Sequence, residues 1–311
     1  MEVFSNLITP IIKMNKKLIT TIITLAAVCS EVSAQPKEGG RCPAPIYARD
    51  FSKIEMVDTT RLRVRYAFCA EKISDHLTYI DLQRLDVGKR ITKYYSQFVY
   101  QSDSLRSKYA KEHPGAQAVP SWMGVQCREH DQWSEYEWSD YFIENGQLTE
   151  YCQMPMWLHR YNSKYTEPVP KKERKLTDET QTILGHHCQQ ATCRFRGRDF
   201  VAWFAADIPV KRGPWKFSGL PGLILKAYDK EKLYTWEAIG LETHRHPITR
   251  FKDFKNYTSY GREKVWKMQC SFHENWFKAT DYHKATMDAA GNMIQGEAVS
   301  IYTPYNPLEL E

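Results

Sequence analysis

At 311 residues the chain is long enough to bury a substantial core without disulfide staples or a metal. The formal charge of +6 is dispersed, with lysines and arginines set among acids as in "KYAKEHPG" and "YDKEKLY", so the sequence lacks the massed basic tract of a nucleic-acid-binding protein. A 26% charged fraction without low-complexity tracts excludes a disordered chain, and a 13% aromatic fraction favours strands.

From Met14 the sequence reads "MNKKLITTIITLAAVCSEVSAQPK". Lys16 and Lys17 form a basic start, Leu18 to Val28 an apolar run too short to span a bilayer, and Val32, Ser33 and Ala34 a small-residue cleavage site. Residues 1–34 therefore read as a secretory signal peptide, with Met14 as the true start. Cys29 closes the apolar run as a lipidated cysteine would, but Val28 stands before it where a small residue is needed, so export without a lipid anchor is expected. Beyond Ala34 no apolar run is long enough for a transmembrane helix. Residues 35–311 are expected to form a single domain in the periplasm or cell envelope, where disulfides are permitted. Seven cysteines remain there, an odd number. Cys127 with Cys152 is the preferred bridge, since both flank an aromatic hairpin, although spacing alone does not assign connectivity.

Strand patterns follow. "RLRVRYAF" alternates Leu62, Val64, Tyr66 and Phe68 with Arg61, Arg63 and Arg65, which predicts a strand with one buried and one solvated face. "HLTYIDLQRLDVGKRITKYYS" predicts two strands joined around Asp86, Val87 and Gly88. "QFVYQSDSLRSKYAKE" after Ser96 has helical spacing. In "EYEWSDYFIENGQLTEYCQM", Asn145 and Gly146 supply the positive φ angles of a tight hairpin turn that sets Ile143 opposite Leu148. The proline-broken "SKYTEPVPKKERKLTDE" reads as an exposed connection. Hairpins are expected to turn at Arg196 to Asp199 and at Asp229 to Lys232, and "YGREKVWKMQCSFHENWFKA" is a second helical stretch. Together these predict a mainly β (α+β) fold: one antiparallel sheet, curved or partly closed, with a few covering helices.

Between the last two hairpins lies "GPWKFSGLPGLILKAYD". Pro221 is expected to preset φ for a type II turn and Gly222 to take its positive φ, while Trp215 and Phe217, two residues apart, face the same way. With the preceding "LGHHCQQATCRFRGRDFVAWFAADIPVKR", with "VGKRITKYYSQFVYQSDS" upstream and with the closing "YNPLELE", this stretch resembles the GLPGLI family of exported Bacteroidota proteins over most of residues 35–311. The resemblance implies a signal peptide and frequent genomic proximity to outer-membrane TonB-dependent receptors, which makes such a receptor a candidate partner. It supplies no activity, cofactor or catalytic residue.

"GHHCQQATC" gathers two imidazoles and two thiols. In an extended chain His186 and Cys188 share one face while His187 and Cys193 lie on the other, so one ion reaches only two of them. Further ligands would have to come from Cys127, His130 or the pair His244 and His246. A metal-binding protein or envelope enzyme using His186, His187 and Cys188 is therefore an alternative only. No GxSxG elbow, HExxH or phosphate-cradling glycine loop is present, and Glu135 and Glu137 read as solvated carboxylates on one face. The leading expectation is a binding protein without catalysis or cofactor, taking an apolar or amphipathic ligand on Trp203, Trp215, Phe217 and Tyr228, with Arg196, Arg198 and Lys216 facing an acidic headgroup. A structural accessory of an outer-membrane receptor complex is the third reading.

Overall fold

The computed structural model describes residues 42–125, 132–288 and 290–311. The expected signal peptide, Cys29, Cys127 and His130 lie outside them. The described chain is mostly β, built on one large sheet that is antiparallel except at one edge and is not closed.

Its centre is β1 (Ile54–Phe68), which pairs with β2 (Asp81–Gly88) on one side. On the other it pairs first with β12 (Pro247–Phe251) and then with β11 (Thr235–Glu242). From β2 the sheet runs through β3 (Ile91–Ser96), β4 (Ser139–Glu144), β5 (Gln147–Cys152) and β6 (Ser163–Pro168) to β13 (Thr258–Ser259), which pairs parallel to β6. From β11 it runs through β10 (Leu223–Asp229), β9 (Arg198–Ala205) and β8 (His186–Phe195) to the edge strand β7 (Arg174–Ile183). A separate hairpin, β14 (His283–Met287) with β15 (Met293–Ala298), stands off this sheet.

The predicted helix forms as α1 (Gln97–Glu112), started by the Ser96 hydroxyl accepting from Val99 N–H at 3.0 Å and ending before Pro114. It packs on β2 and β3. The second helical stretch splits into α2 (Arg262–Glu274) and α3 (Trp276–Ala279) at Asn275, whose side chain caps α3 by accepting from Lys278 N–H.

Leu62, Val64, Tyr66 and Phe68 share the main core face as expected. The other face of β1 is not solvated throughout. Arg63 is buried, its Nε and Nη2 donating to Asp86 at 2.6 and 3.1 Å, and Ala67 packs with Leu82 and with Phe98 of α1. The covering helix makes the cationic side of the alternation a second interior, with a carboxylate to match it.

Asn145 and Gly146 turn the hairpin as predicted, with φ of 51° and 76°, and Ile143 pairs with Leu148. Elsewhere the turns are shifted. Gly88 stays in β2 and the turn falls at Lys89 and Arg90. The β8–β9 turn is the two-residue Arg196-Gly197, which puts Arg198 into the strand opposite Phe195. The supposed exposed connection after Ser163 is largely β6 and β7, because an edge strand tolerates polar residues on its open side.

The GLPGLI corner also differs. Positive φ falls on Gly219 (87°) and Trp215 (49°), whereas Gly222 has an ordinary φ. Gly222 is needed for space: a Cβ there would overlap the Ala205 carbonyl where β10 meets β9. Gly222→Ala is accordingly expected to cost more than about 3 kcal/mol, since the obstacle is backbone in a paired strand. Gly146→Ala, with nothing within 4 Å of its Cβ, should lose only about 1 kcal/mol from its positive φ. Urea denaturation compares the two, and equal losses would contradict the close-approach account.

Candidate functional site

Alternation along β9 sends Arg198, Phe200, Ala202 and Phe204 to one face of the sheet and Val201 and Trp203 to the other. On the first face the GLPGLI corner and the C-terminal tail meet. Trp215 lies parallel to Trp236 at 6.1 Å, and Phe217 packs edge-on to Trp215 and Phe200 at 5.3 and 5.0 Å. Trp215 and Phe217 share one aromatic cluster and both are buried, but the piece is a turn with Trp215 at positive φ and not the extended segment that the spacing assumes.

Between them Lys216 carries its ammonium to Tyr165 Oη at 2.6 Å, to Glu150 Oε2 at 3.0 Å and to Glu309. Tyr165 donates in turn to Glu150, and Ser139 Oγ donates to the other carboxylate oxygen at 2.9 Å. Burial alone would pull the Lys216 ammonium down, but the Glu150 and Glu309 carboxylates hold it well above the usual lysine range. The group is a fixed cation. Lys172, which donates to the Lys216 carbonyl at 2.7 Å, has no such partner, and burial with Arg174 nearby pushes it down to about 7.

Tail residues 301–311 have no regular structure, yet they are anchored along their length. Thr303 N–H donates to Glu274 O at 2.8 Å and Leu310 N–H to Arg196 O at 2.9 Å. Arg198 Nε and Nη2 donate to Pro307 O at 3.1 and 2.7 Å, and Tyr234 Oη donates to Asn306 O at 2.7 Å. Leu308 is 2% exposed, and the Glu309 carboxylate meets Arg262 at 2.8 Å and Arg196 at 3.6 Å as well as Lys216. The space left beside Lys216, Tyr141, Tyr165 and Trp266 is about 20 Å³, room for about one water molecule.

Five of the seven predicted ligand contacts thus lie on this face: Trp215, Phe217, Lys216, Arg196 and Arg198. There the acidic group they meet is the chain's own, Glu309 for Lys216 and Arg196, Glu167 for Arg196 at 2.7 Å, and Asp229 for Arg198 at 3.3 Å.

The other two, Trp203 and Tyr228, stand on the opposite face. Register places Ala67 of β1, Glu237 of β11, Lys226 of β10, Trp203 of β9 and Gln190 of β8 in one row across five strands. Over this row opens a cleft of about 260 Å³, whose lining includes Trp203, Tyr228, Ala67, Ala70, Gln181 and Lys232. Lys226 and Glu237 neutralise each other across it at 2.7 Å.

The residues of the metal alternative are not brought together. His186 Nδ1 lies 2.7 Å from Asp207, His187 is exposed, and the Cys188 thiol is buried in the core. Among the described residues no three His, Cys, Asp or Glu side chains form a metal-sized group. Cys152 is a buried free thiol whose Sγ lies 3.4 Å from Glu150, and its expected bridge partner Cys127 is outside the described residues.

Glu135 and Glu137 are a correction, since neither is solvated. Glu135 lies 2.9 Å from His273 Nε2 and accepts from Tyr305, and Glu137 accepts from Ser134. They sit in a tight turn before β4 rather than on a strand, and the tail brings Tyr305 over them.

The residues that sequence reasoning passed over are Glu150, Tyr165, Glu309 and Gln181. Glu150 left a signal, because it falls in line with the buried Leu148 and Cys152 along β5, and a carboxylate on an apolar face must be paired. Glu309, in an aperiodic tail, left none.

Residues 195–226 match a family described as "Protein of unknown function (Porph_ging)", found in Bacteroidota. No curated protein matches the chain. Two solved structures of PNGF-II, in space groups P21 and C2, are similar to it at 15% and 14% identity with TM-scores of 0.43 and 0.42. Each similarity covers 75% of this chain and 35% of the PNGF-II chain, so this chain spans about a third of the proteins it resembles.

Removing one member of the buried cluster leaves an uncompensated charge. Glu309→Ala is expected to cost about 3 kcal/mol or more, against well under 1 kcal/mol for Glu231→Ala, whose side chain is 71% exposed beside Arg198. Denaturant titration of the two variants measures the contrast, and a loss at Glu309 as small as at Glu231 would remove the tail from the stabilising set.

Proposed function

We propose that this chain is an exported cell-envelope protein of the GLPGLI type that binds a ligand in the cleft beside Trp203 and Tyr228 and performs no chemistry of its own. The contrast between the two faces of the sheet carries this reading. The face with most of the aromatic and cationic candidates is filled by the chain's own tail, whereas the other keeps two aromatic walls around open space. Aromatic walls with a few polar groups at the rim are the composition of a small-molecule site. Two groups able to do chemistry, His273 and Lys216, are held by structural partners, Glu135 and the pair Glu150 and Glu309.

A second reading, an accessory of an outer-membrane receptor complex, draws support from the β14–β15 hairpin. Met287 and Met293, paired at its end, are 69% and 67% exposed, an apolar tip that the described chain leaves uncovered.

Native mass spectrometry of residues 35–311 exported to a periplasm, compared with the denatured mass, separates the two. The binding reading predicts an added mass that disappears on denaturation and is absent from a folded Trp203→Ala, Tyr228→Ala double variant. An added mass that survives both changes would place the ligand elsewhere. A bare mass throughout would shift support to the accessory.

A further inference from the structure

We infer that the cleft on the Trp203 face is a carboxylate site, taking a small ligand with an apolar or aromatic body and one acidic group. The inference rests on the reading of that cleft as the ligand site and adds the chemical class.

Two observations point to an acceptor. The Trp203 indole Nε1 is buried and has no hydrogen-bond partner, and Trp203 as a whole is 8% exposed. Five other indoles, those of Trp122, Trp133, Trp236, Trp266 and Trp276, donate to a protein oxygen. The Gln181 amide Nε2, at the rim of the same cleft, is likewise buried and unpartnered. An indole N–H and an amide NH₂ can only donate, and a buried donor left unpaired is costly. Trp203 and Gln181 thus line one cleft, and neither nitrogen meets an acceptor among the described residues.

Charge selects which acceptor. Lys226 and Glu237 cancel as an ion pair, whereas Lys232, exposed beside the cleft with its ammonium 5.9 Å from the centre of the Tyr228 ring, has no ion-pair partner among the described residues. One uncancelled cation beside two orphan donors matches a carboxylate, whose two oxygens accept from several donors at once. The ligand's body then lies between the Trp203 and Tyr228 rings, over Ala67 and Ala70. Neither orphan nitrogen presents surface to the cleft, so the partly exposed Gln181 side chain must move before a carboxylate reaches them.

The test uses phenylacetate and its uncharged isostere phenylacetamide, added to the ¹⁵N-labelled chain, with the Trp203 indole N–H signal assigned by its loss in Trp203→Phe. Phenylacetate is expected to shift that signal saturably and to bind at least about tenfold more tightly than phenylacetamide. Trp203→Phe, which removes the orphan donor and keeps a ring, should weaken phenylacetate about tenfold in a variant that remains folded. Lys232→Ala, at an exposed position, should weaken it several-fold while leaving phenylacetamide unchanged. Equal binding of the two compounds overturns the carboxylate class and leaves the cleft as a site. If phenylacetate leaves the indole signal unmoved, the carboxylate class fails. If a ligand retained through purification also leaves it unmoved, the cleft itself fails as the site.

Discussion

A lysine ammonium only 4% exposed, held between two carboxylates and a phenol, is the constraint on which the arrangement of this protein turns. Glu150 comes from β5, Tyr165 from β6, Lys216 from the corner before β10 and Glu309 from the last residues of the chain. Each charge is costly to bury alone, so the four segments must arrive together. Such a cluster adds little net stability over an apolar equivalent, but it tolerates few alternative arrangements, and here it fixes where the tail can lie. With Glu309 in place, Leu308 enters the core and Arg198 holds the preceding carbonyl.

The same device recurs under α1. Arg49 bridges Asp103 and Asp140 at 2.6 Å each, and Lys93 reaches Asp140 at 2.9 Å with the Tyr95 ring 4.1 Å from its ammonium. Charged residues that would suit an acidic ligand thus serve as internal partners on both sides of the sheet. The second face beyond α1 differs, because there Trp203, Tyr228 and Gln181 border the open cleft to which the proposed ligand is assigned. The two faces of β9 have different surroundings: Phe200 meets Trp215 and Phe217, whereas Trp203, three residues on and still part of the main core, also lines the cleft.

Much of the architecture was legible because it rests on local rules. Strand alternation in "RLRVRYAF", the Asn145-Gly146 turn and the Ser96 cap are properties of a few neighbouring residues. What was not legible depends on distant ones. Nothing near Gly222 announces that Ala205 passes against it, so a spatial requirement read as a turn requirement. Arg63 reads as solvated until α1 covers it and Asp86 meets it. The seven candidate contacts fall on both faces of the sheet, and parity along β9 was the sequence signal able to separate Trp203 from Arg198, while the tail that occupies the Arg198 side has no periodicity to place it. Gln181 became informative only when an unpartnered nitrogen was found beside another.

Hydrogen–deuterium exchange of the chain's last residues tests the central claim most directly, because a tail locked by the Lys216 cluster must protect its own amides. The N–H groups of Thr303 and Leu310, which donate to Glu274 and Arg196, should exchange as slowly as those of the central strands. Exchange of both within seconds, in a chain whose β1 and β10 amides remain protected, would show the tail leaving its place freely and would contradict the account of that face as closed scaffold.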